Sequence, residues 1–328
     1  MERARRKAPK AMLFLVLVFM LFSFARLSAQ AVETYAMVVF MQSGEFWTYC
    51  LQGAKDAAEL IGGNKIKLVF QGTKEWSGAD EALLLDQMIG TKPKGFLITA
   101  ADAEALTPSI NRAVKGGIPV VCFDTDAPSS MRVNFVGTDN YQSGVMAGRA
   151  MGNLVKAGKI GITTVIGPAH LASRLQGVKD VFASEFPQIT IVNVVDDKSQ
   201  TDMAATIAAG MLQANLDMKA IMCMHGQGGV GFVPGIRQAG KKPGKDVFVS
   251  AWDFSKETLD GIERGEINFT VAQNPYAMGY WAMMVAYANN HQPTAWSPAV
   301  KTRKGKLPPG NIDTGVVIVS PDNVKAWR

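Results

Sequence analysis

The chain has 328 residues, more than a single hydrophobic core usually serves, so two lobes are expected. With 48% apolar and 19% charged residues and no low-complexity tract or short repeat, its composition is that of a soluble globular protein and disorder is not expected. The net charge of +6 sits mainly in residues 1–31, which hold six Lys and Arg against one Glu, so the body is nearly neutral and a nucleic-acid partner is not expected.

The chain starts with basic MERARRKAPK, continues with apolar AMLFLVLVFMLFSFA at 11–25, and then reads RLSAQA with Ala29 and Ala31 in A-x-A order. That is the pattern of a cleavable signal peptide over residues 1–31, which predicts export to the periplasm, cleavage after Ala31 and a mature chain starting at Val32. The apolar run of 15 residues is shorter than the ~20 that span a bilayer, although an uncleaved anchor is the alternative. The first cysteine is Cys50, far from the cleavage site, which disfavours a lipid-modified N-terminus.

Beyond the leader, β-branched and apolar runs recur as strand candidates. They are TYAMVVF (34–40), KIKLVFQ (65–71), KGFLIT (94–99), IPVVCFD (118–124), KIGITTVIG (159–167), ITIVNVV (189–195), KAIMCM (219–224), DVFVSAWD (246–253) and INFTVAQ (267–273). Between them lie segments with helical spacing, among them EFWTYCLQGAKDAAELIG and ADEALLLDQMIG. The last long helix is expected to begin at Asn274-Pro275, a capping residue followed by proline in the first turn. Strands alternating with helices predict an α/β chain of parallel sheets flanked by helices.

One stretch needs separate treatment. GQGGVG (226–231) follows the run KAIMCM and fits G-x-G-x-x-G, with Asp253 placed where a dinucleotide fold keeps its ribose-binding carboxylate. The chain holds 32 glycines, so such a spacing arises readily by chance, and an exported protein is a poor setting for a nicotinamide or flavin enzyme. No cofactor is expected. Cys50, Cys122 and Cys223 are odd in number, lie in apolar contexts and form no C-x-x-C, so they read as buried thiols. His170, His225 and His291 are too scattered to make a metal set. The KTRKGK run at 301–306 reads as a solvated loop.

In parallel sheets, ligand-binding groups gather where strands end and the chain leaves for a helix. Those ends carry Glu45, Phe46 and Trp47 after the first strand, Asp124, Thr125 and Asp126 after the fourth, and His170 and Arg174 after the fifth. Ser199 follows the sixth, His225 the seventh, Asp253 the eighth and Gln273 the ninth; Trp76 lies after the second. Carboxylates accept paired hydrogen bonds from neighbouring hydroxyls, arginine donates to the same oxygens, and flat rings cover the C–H face of a sugar. The set suits a polyhydroxyl ligand.

The stretches IPVVCFDTDAP, NFVGTDNYQSGVMAG, SRLQGVKDVF, VSAWD, VAQNPYAMGY and IDTGVVIVS, in this order, resemble the periplasmic sugar-binding proteins of ABC importers, in the ribose-binding-protein-like group of the type I fold. The resemblance covers residues 34–320. It implies two similar doubly wound parallel-sheet lobes joined by three hinge strands, one of residues 32–138 plus 274–312 and one of residues 139–273 plus 313–328. It implies ligand contacts from Phe46, Trp47, Asp124, Thr125, Arg174, His225, Asp253 and Gln273, with Glu45, Trp76, Asp126, His170 and Ser199 in a second rank. Thr125 stands where the ribose binders have arginine, His225 where they have asparagine, Phe40 where they have a small polar residue and Ser199 where an aromatic is usual, so ribose itself is not implied.

Other readings of the same residues stay open. Phe46 and Trp47 could be the buried face of a helix, Asp124 and Asp126 could cap a turn, and Arg174 could be a surface charge. A calcium loop fits poorly, because its glycine and bidentate glutamate are missing. The expected function is capture of a monosaccharide or sugar alcohol by a monomer and its delivery to an ABC permease. A periplasmic sensor presenting the sugar to a histidine-kinase or chemoreceptor ectodomain is the alternative. A glycosidase using Asp124 and Asp253 is not expected.

Overall fold

The computed structural model describes residues 32–291 and 310–327. The leader and the KTRKGK run lie outside the described residues. All nine expected strands form: β1 Glu33–Val39, β2 Ile66–Gly72, β3 Gly95–Ile98, β4 Val120–Phe123, β6 Gly158–Thr164, β7 Ile189–Asp196, β8 Met218–Cys223, β9 Phe248–Trp252 and β10 Phe269–Gln273. Three short ones add to them, β5 Asn134–Gly137, β11 Asn311–Asp313 and β12 Val316–Val319. The helices are α1 Glu45–Gly62, α2 Gly78–Ile89, α3 Ala103–Lys115, α4 Asn140–Val155, α5 Ala169–Glu185, α6 Thr201–Ala214, α7 Gly228–Gln238, α8 Lys256–Glu263 and α9 Pro275–Asn290.

The strands build two six-stranded sheets of matching order, β11-β5-β4-β3-β1-β2 and β12-β10-β9-β8-β6-β7. Neighbours are parallel except β12, which runs antiparallel to β10. Each lobe is a strand-helix alternation, so both faces of each sheet are covered and its central strands are continuously apolar. In β3 and β4 every residue is buried. Fully buried side chains such as Phe96, Leu97 and Phe123 each contribute about 1.5–3 kcal/mol by leaving water. Separate buried clusters lie on the two faces of each sheet.

The chain passes between the sheets after β5, after β10, and again between β11 and β12. At each of the first two passages the next helix packs on the lobe it enters. α4 lies against α5, and α9 lies against α1. Both pairs approach closely through glycine. A Cβ at Gly279 would stand 1.8 Å from the Cys50 carbonyl oxygen, and one at Gly144 would stand 2.0 Å from that of Arg174. α9 starts as the sequence predicts: Asn274 accepts a hydrogen bond from the Ala277 N–H at 3.0 Å, and Pro275 opens the first turn.

Candidate functional site

The matching topology puts two carboxylates at corresponding strand ends. Asp124 follows β4 and Asp253 follows β9, each at the same place in its sheet order. Both adopt left-handed backbone, with φ of 60° and 61°. Each N–H donates to the neighbouring strand, Asp124 to Val136 O at 3.0 Å and Asp253 to Val271 O at 2.9 Å. A non-glycine residue in this region costs of order 1–3 kcal/mol, and such strain concentrates at functional sites. The same turn recurs in both lobes; the Asp124 side chain lines the cleft between them, and the Asp253 carboxylate is held by Gln273.

Arg174, on α5, is buried beside this pair. Its Nε donates to Asn140 Oδ1 at 2.8 Å, Nη1 to the Met224 carbonyl at 2.9 Å, and Nη2 to Gln273 Oε1 at 3.0 Å. Its guanidinium carbon also lies 4.3 Å from the centre of the Trp252 ring. Gln273, at the end of β10, accepts from Thr138 Oγ1 at 2.8 Å and donates from Nε2 to Asp253 Oδ1 at 2.9 Å. One amide thus ties two of the three chain passages, the arginine and a carboxylate together.

The electrostatics follow from two acids enclosed with one base. Burial raises Asp124 to about 7, Arg174 opposing the rise and Asp253 adding to it. Asp253 is also raised, chiefly by burial. Arg174 is lowered to about 10 by burial, against the pull of Asp253 and Asp124. The Asp124 carboxylate makes no hydrogen bond among the described residues, and it faces the cleft between the lobes. An acceptor held in strained backbone without a protein donor is an acceptor available to a ligand.

That cleft has a volume of about 1330 Å³, and Trp76, Asp124, Thr125, Asp126, His170 and Ser199 are on its wall. Trp76 tilts against Phe40 at 4.4 Å, and across the cleft it lies parallel to His170 of the other lobe, with ring centres 6.3 Å apart. Enclosure lowers the His170 imidazole to about 3, and the Arg174 charge adds to that fall, so the ring is neutral at physiological pH. Gln273 faces a second pocket of about 320 Å³ beside Tyr49, Phe254 and Trp327.

The remaining candidates occupy other surroundings. Trp47 is buried, meeting Phe40 and Phe46 edge-on at 5.0 Å each and Phe123 at 6.4 Å; Phe46 is half-buried beside it. Thr125 is buried, and its Oγ1 accepts from the Ala100 N–H at 2.7 Å. Asp126 is paired with Arg132 through Nη2 and Oδ2 at 2.6 Å. Glu45 is exposed and accepts from the Tyr49 hydroxyl at 3.2 Å. His225 is buried with Nε2 at 2.6 Å from Asp197 Oδ1, and Ser199 Oγ donates to Gln227 at 2.9 Å.

Asn140, Thr138 and Gln227 were not singled out in the sequence, although the first two belong to the quoted stretch NFVGTDNYQSGVMAG. The glycines of GQGGVG serve close packing: a Cβ at Gly229 would stand 2.4 Å from that of Ala251, and one at Gly231 would stand 2.3 Å from Thr201 O. All three cysteines are free and buried.

Comparison with known proteins agrees with this architecture. Residues 35–291 match the periplasmic binding protein domain family. The chain is 28% identical to the D-ribose/D-allose-binding protein of Pseudomonas aeruginosa, over 72% of this chain and 78% of that one. A sugar-binding protein of a sugar ABC transporter from Bacillus halodurans superposes with TM-score 0.82 and 30% identity, covering 90% of this chain and 100% of that one. The arabinose-binding protein AraP of Geobacillus stearothermophilus gives 0.80 and 32%, covering 90% and 99%. With its two matched lobes and a family match over most of its length, the chain belongs to the periplasmic binding protein family, in the ribose-binding-protein-like group.

Proposed function

We propose that this protein is exported, captures a monosaccharide or sugar alcohol between its lobes, and delivers it as a monomer to an ABC import permease. The observation that carries this reading is the pair of carboxylates at matching strand ends, Asp124 and Asp253, flanking the buried Arg174. Neighbouring hydroxyls donate to the carboxylates, and the free N–H groups of the guanidinium donate back. Gln273 completes the polar set from the hinge. Trp76 and His170 supply flat faces from opposite lobes, a role for which their place on the cleft wall suits them better than the buried Trp47. The cleft is larger than the about 300–1,000 Å³ usual for small-ligand sites, so capture of a monosaccharide goes with closure about the three chain passages. The P. aeruginosa relative carries ribose and allose in its name, and the Geobacillus structure arabinose, which favours a pentose or hexose.

The test is a thermal-shift and calorimetric screen of pentoses, hexoses and polyols. A ligand at about 100 times its dissociation constant adds about 2.7 kcal/mol to the folded state if it binds only that state. Absence of a shift with every sugar would refute the reading. Export is tested separately by the intact mass of the periplasmic protein, expected to begin at Val32; full-length chain in the membrane fraction would oppose it.

A further inference from the structure

Gln227 closes the turn immediately before α7 and lies on the cleft wall. Its Oε1 accepts from Ser199 Oγ at 2.9 Å, and its backbone N–H donates to His225 Nδ1 at 3.4 Å. His225 is in turn held at Nε2 by Asp197 Oδ1 at 2.6 Å, and Asp197 is wholly buried. The Ser199 N–H donates to the same Asp197 oxygen at 3.1 Å. Ser199 and its neighbour Lys198 are both left-handed, with φ of 58° and 51°. The strained loop after β7 and the glycine-rich turn after β8 are therefore joined by one chain of contacts running from Asp197 to Gln227. The Gln227 Nε2 makes no hydrogen bond among the described residues.

We propose that Gln227 is a ligand-contacting residue of the second lobe that donates its amide N–H to one sugar hydroxyl, and that Asp197, His225 and Ser199 are positioning residues acting through it. This rests on the sugar-binding reading of the cleft. With Oε1 accepting from Ser199 Oγ and the Gln227 backbone N–H donating to His225 Nδ1, the residue is held at both ends and the amide's donor side is the one left over. His225 has both ring nitrogens turned to protein partners and is buried, so its influence on a ligand passes through Gln227. The lobe thereby gains a neutral donor opposite the bare acceptor Asp124 of the other lobe. A hydroxyl pair able to donate to one lobe and accept from the other bridges the cleft, and an epimer that misplaces either hydroxyl bridges it less well. Gln227 thus discriminates among sugars rather than setting the class of ligand.

The wild type, Gln227→Ala, Gln227→Glu, Ser199→Ala and Asp197→Asn are titrated calorimetrically with D-ribose, D-allose, D-arabinose, D-xylose and myo-inositol. The monodeoxy analogues of each binder follow. Gln227→Ala is expected to weaken binding about 2- to 10-fold, the worth of one neutral hydrogen bond, and Gln227→Glu at least as much, because a carboxylate offers no N–H. One monodeoxy analogue is expected to bind wild type and Gln227→Ala equally. Asp197→Asn and Ser199→Ala are expected to weaken binding in the wild-type background and to add nothing in the Gln227→Ala background, which a merely structural role does not produce. Ser199→Ala carries the cycle if Asp197→Asn fails to fold. Unchanged affinity of Gln227→Ala, an equal loss with every deoxy analogue, or additive effects in the cycle would each overturn the assignment alone. If the wild type binds none of the sugars, the reading of the cleft fails and this inference falls with it.

Discussion

Replacing Asp253 by asparagine keeps the shape of the side chain and an oxygen for the Gln273 Nε2 now 2.9 Å away, but it removes one of the two negative charges beside Arg174. A hydrogen bond to a charged group contributes roughly 1.5–3 kcal/mol, so sugar affinity should fall about 10- to 100-fold. A second effect follows from electrostatics. The Asp253 charge helps to raise Asp124 to about 7, after burial as the main cause, so in the variant Asp124 should titrate lower. Sugar hydroxyls donate best to an ionised Asp124. Wild-type affinity should therefore rise with pH up to about 7 and then level off, falling by up to about tenfold per unit below that point. In Asp253→Asn the break should move to lower pH while the plateau is weaker. Stability without ligand has the opposite sign. A carboxyl raised from the ordinary 3.9 or so favours folding fully only below that value. That contribution is lost as pH climbs to about 7. Calorimetric titrations from pH 5 to 8, with carboxyl NMR of Asp124, test both effects. A variant whose affinity and pH break match wild type would refute the reasoning.

Glu81 on α2 is wholly buried, accepts from Thr99 Oγ1 at 2.5 Å and Ala101 N at 2.9 Å, and is raised by burial to about 8. Stability from its protonated form should be lost between about pH 4 and about 8, so melting of wild type relative to Glu81→Gln should worsen across that range; an equal difference at pH 5 and pH 8 would contradict this. Trp47→Ala should cost about 3–5 kcal/mol of stability, whereas Trp76→Ala, 41% exposed, should leave melting nearly unchanged and weaken sugar binding. The reverse pattern in melts and titrations would exchange their roles. Gly279→Ala should lower the melting temperature by several degrees, because its new carbon meets the Cys50 carbonyl; an unchanged melt would show that α9 can shift freely on α1.

The long strands and the helix starts were legible because each carries its own local signal: period, β-branched content, Asn274 before Pro275. β5, β11 and β12 were not among the expected strands; β11, only three residues long, is defined by pairing with a strand more than 170 residues earlier. The strand-end rule directed attention to Asp124, Arg174, Asp253 and Gln273, which the fold brings into one hydrogen-bonded and electrostatic group. It could not separate Trp47 from Trp76. Both follow strands, and only the fold shows that Trp47 is buried edge-on to Phe40 whereas Trp76, tilted against the same ring, stays 41% exposed. Gln227 escaped notice because the glycines around it dominate the motif.

The two lobes share one scaffold, and their differences carry the chemistry. At corresponding glycine contacts, α9 meets the Cys50 carbonyl on α1 and α4 meets the Arg174 carbonyl on α5. One lobe thus places a small thiol where the other places a guanidinium. Cys50 is buried and its thiol is raised, first by burial and then by Asp124 and Asp253, so it stays neutral. With one arginine already bonded to Asn140, Met224 and Gln273, Asp124 remains without a donor. In the reading proposed above, a sugar entering the cleft would supply the hydrogen bonds that Asp124 lacks. Under the proposed sugar-binding reading, closure would be favoured most by a ligand that accepts from Arg174 of the second lobe while donating to Asp124 of the first.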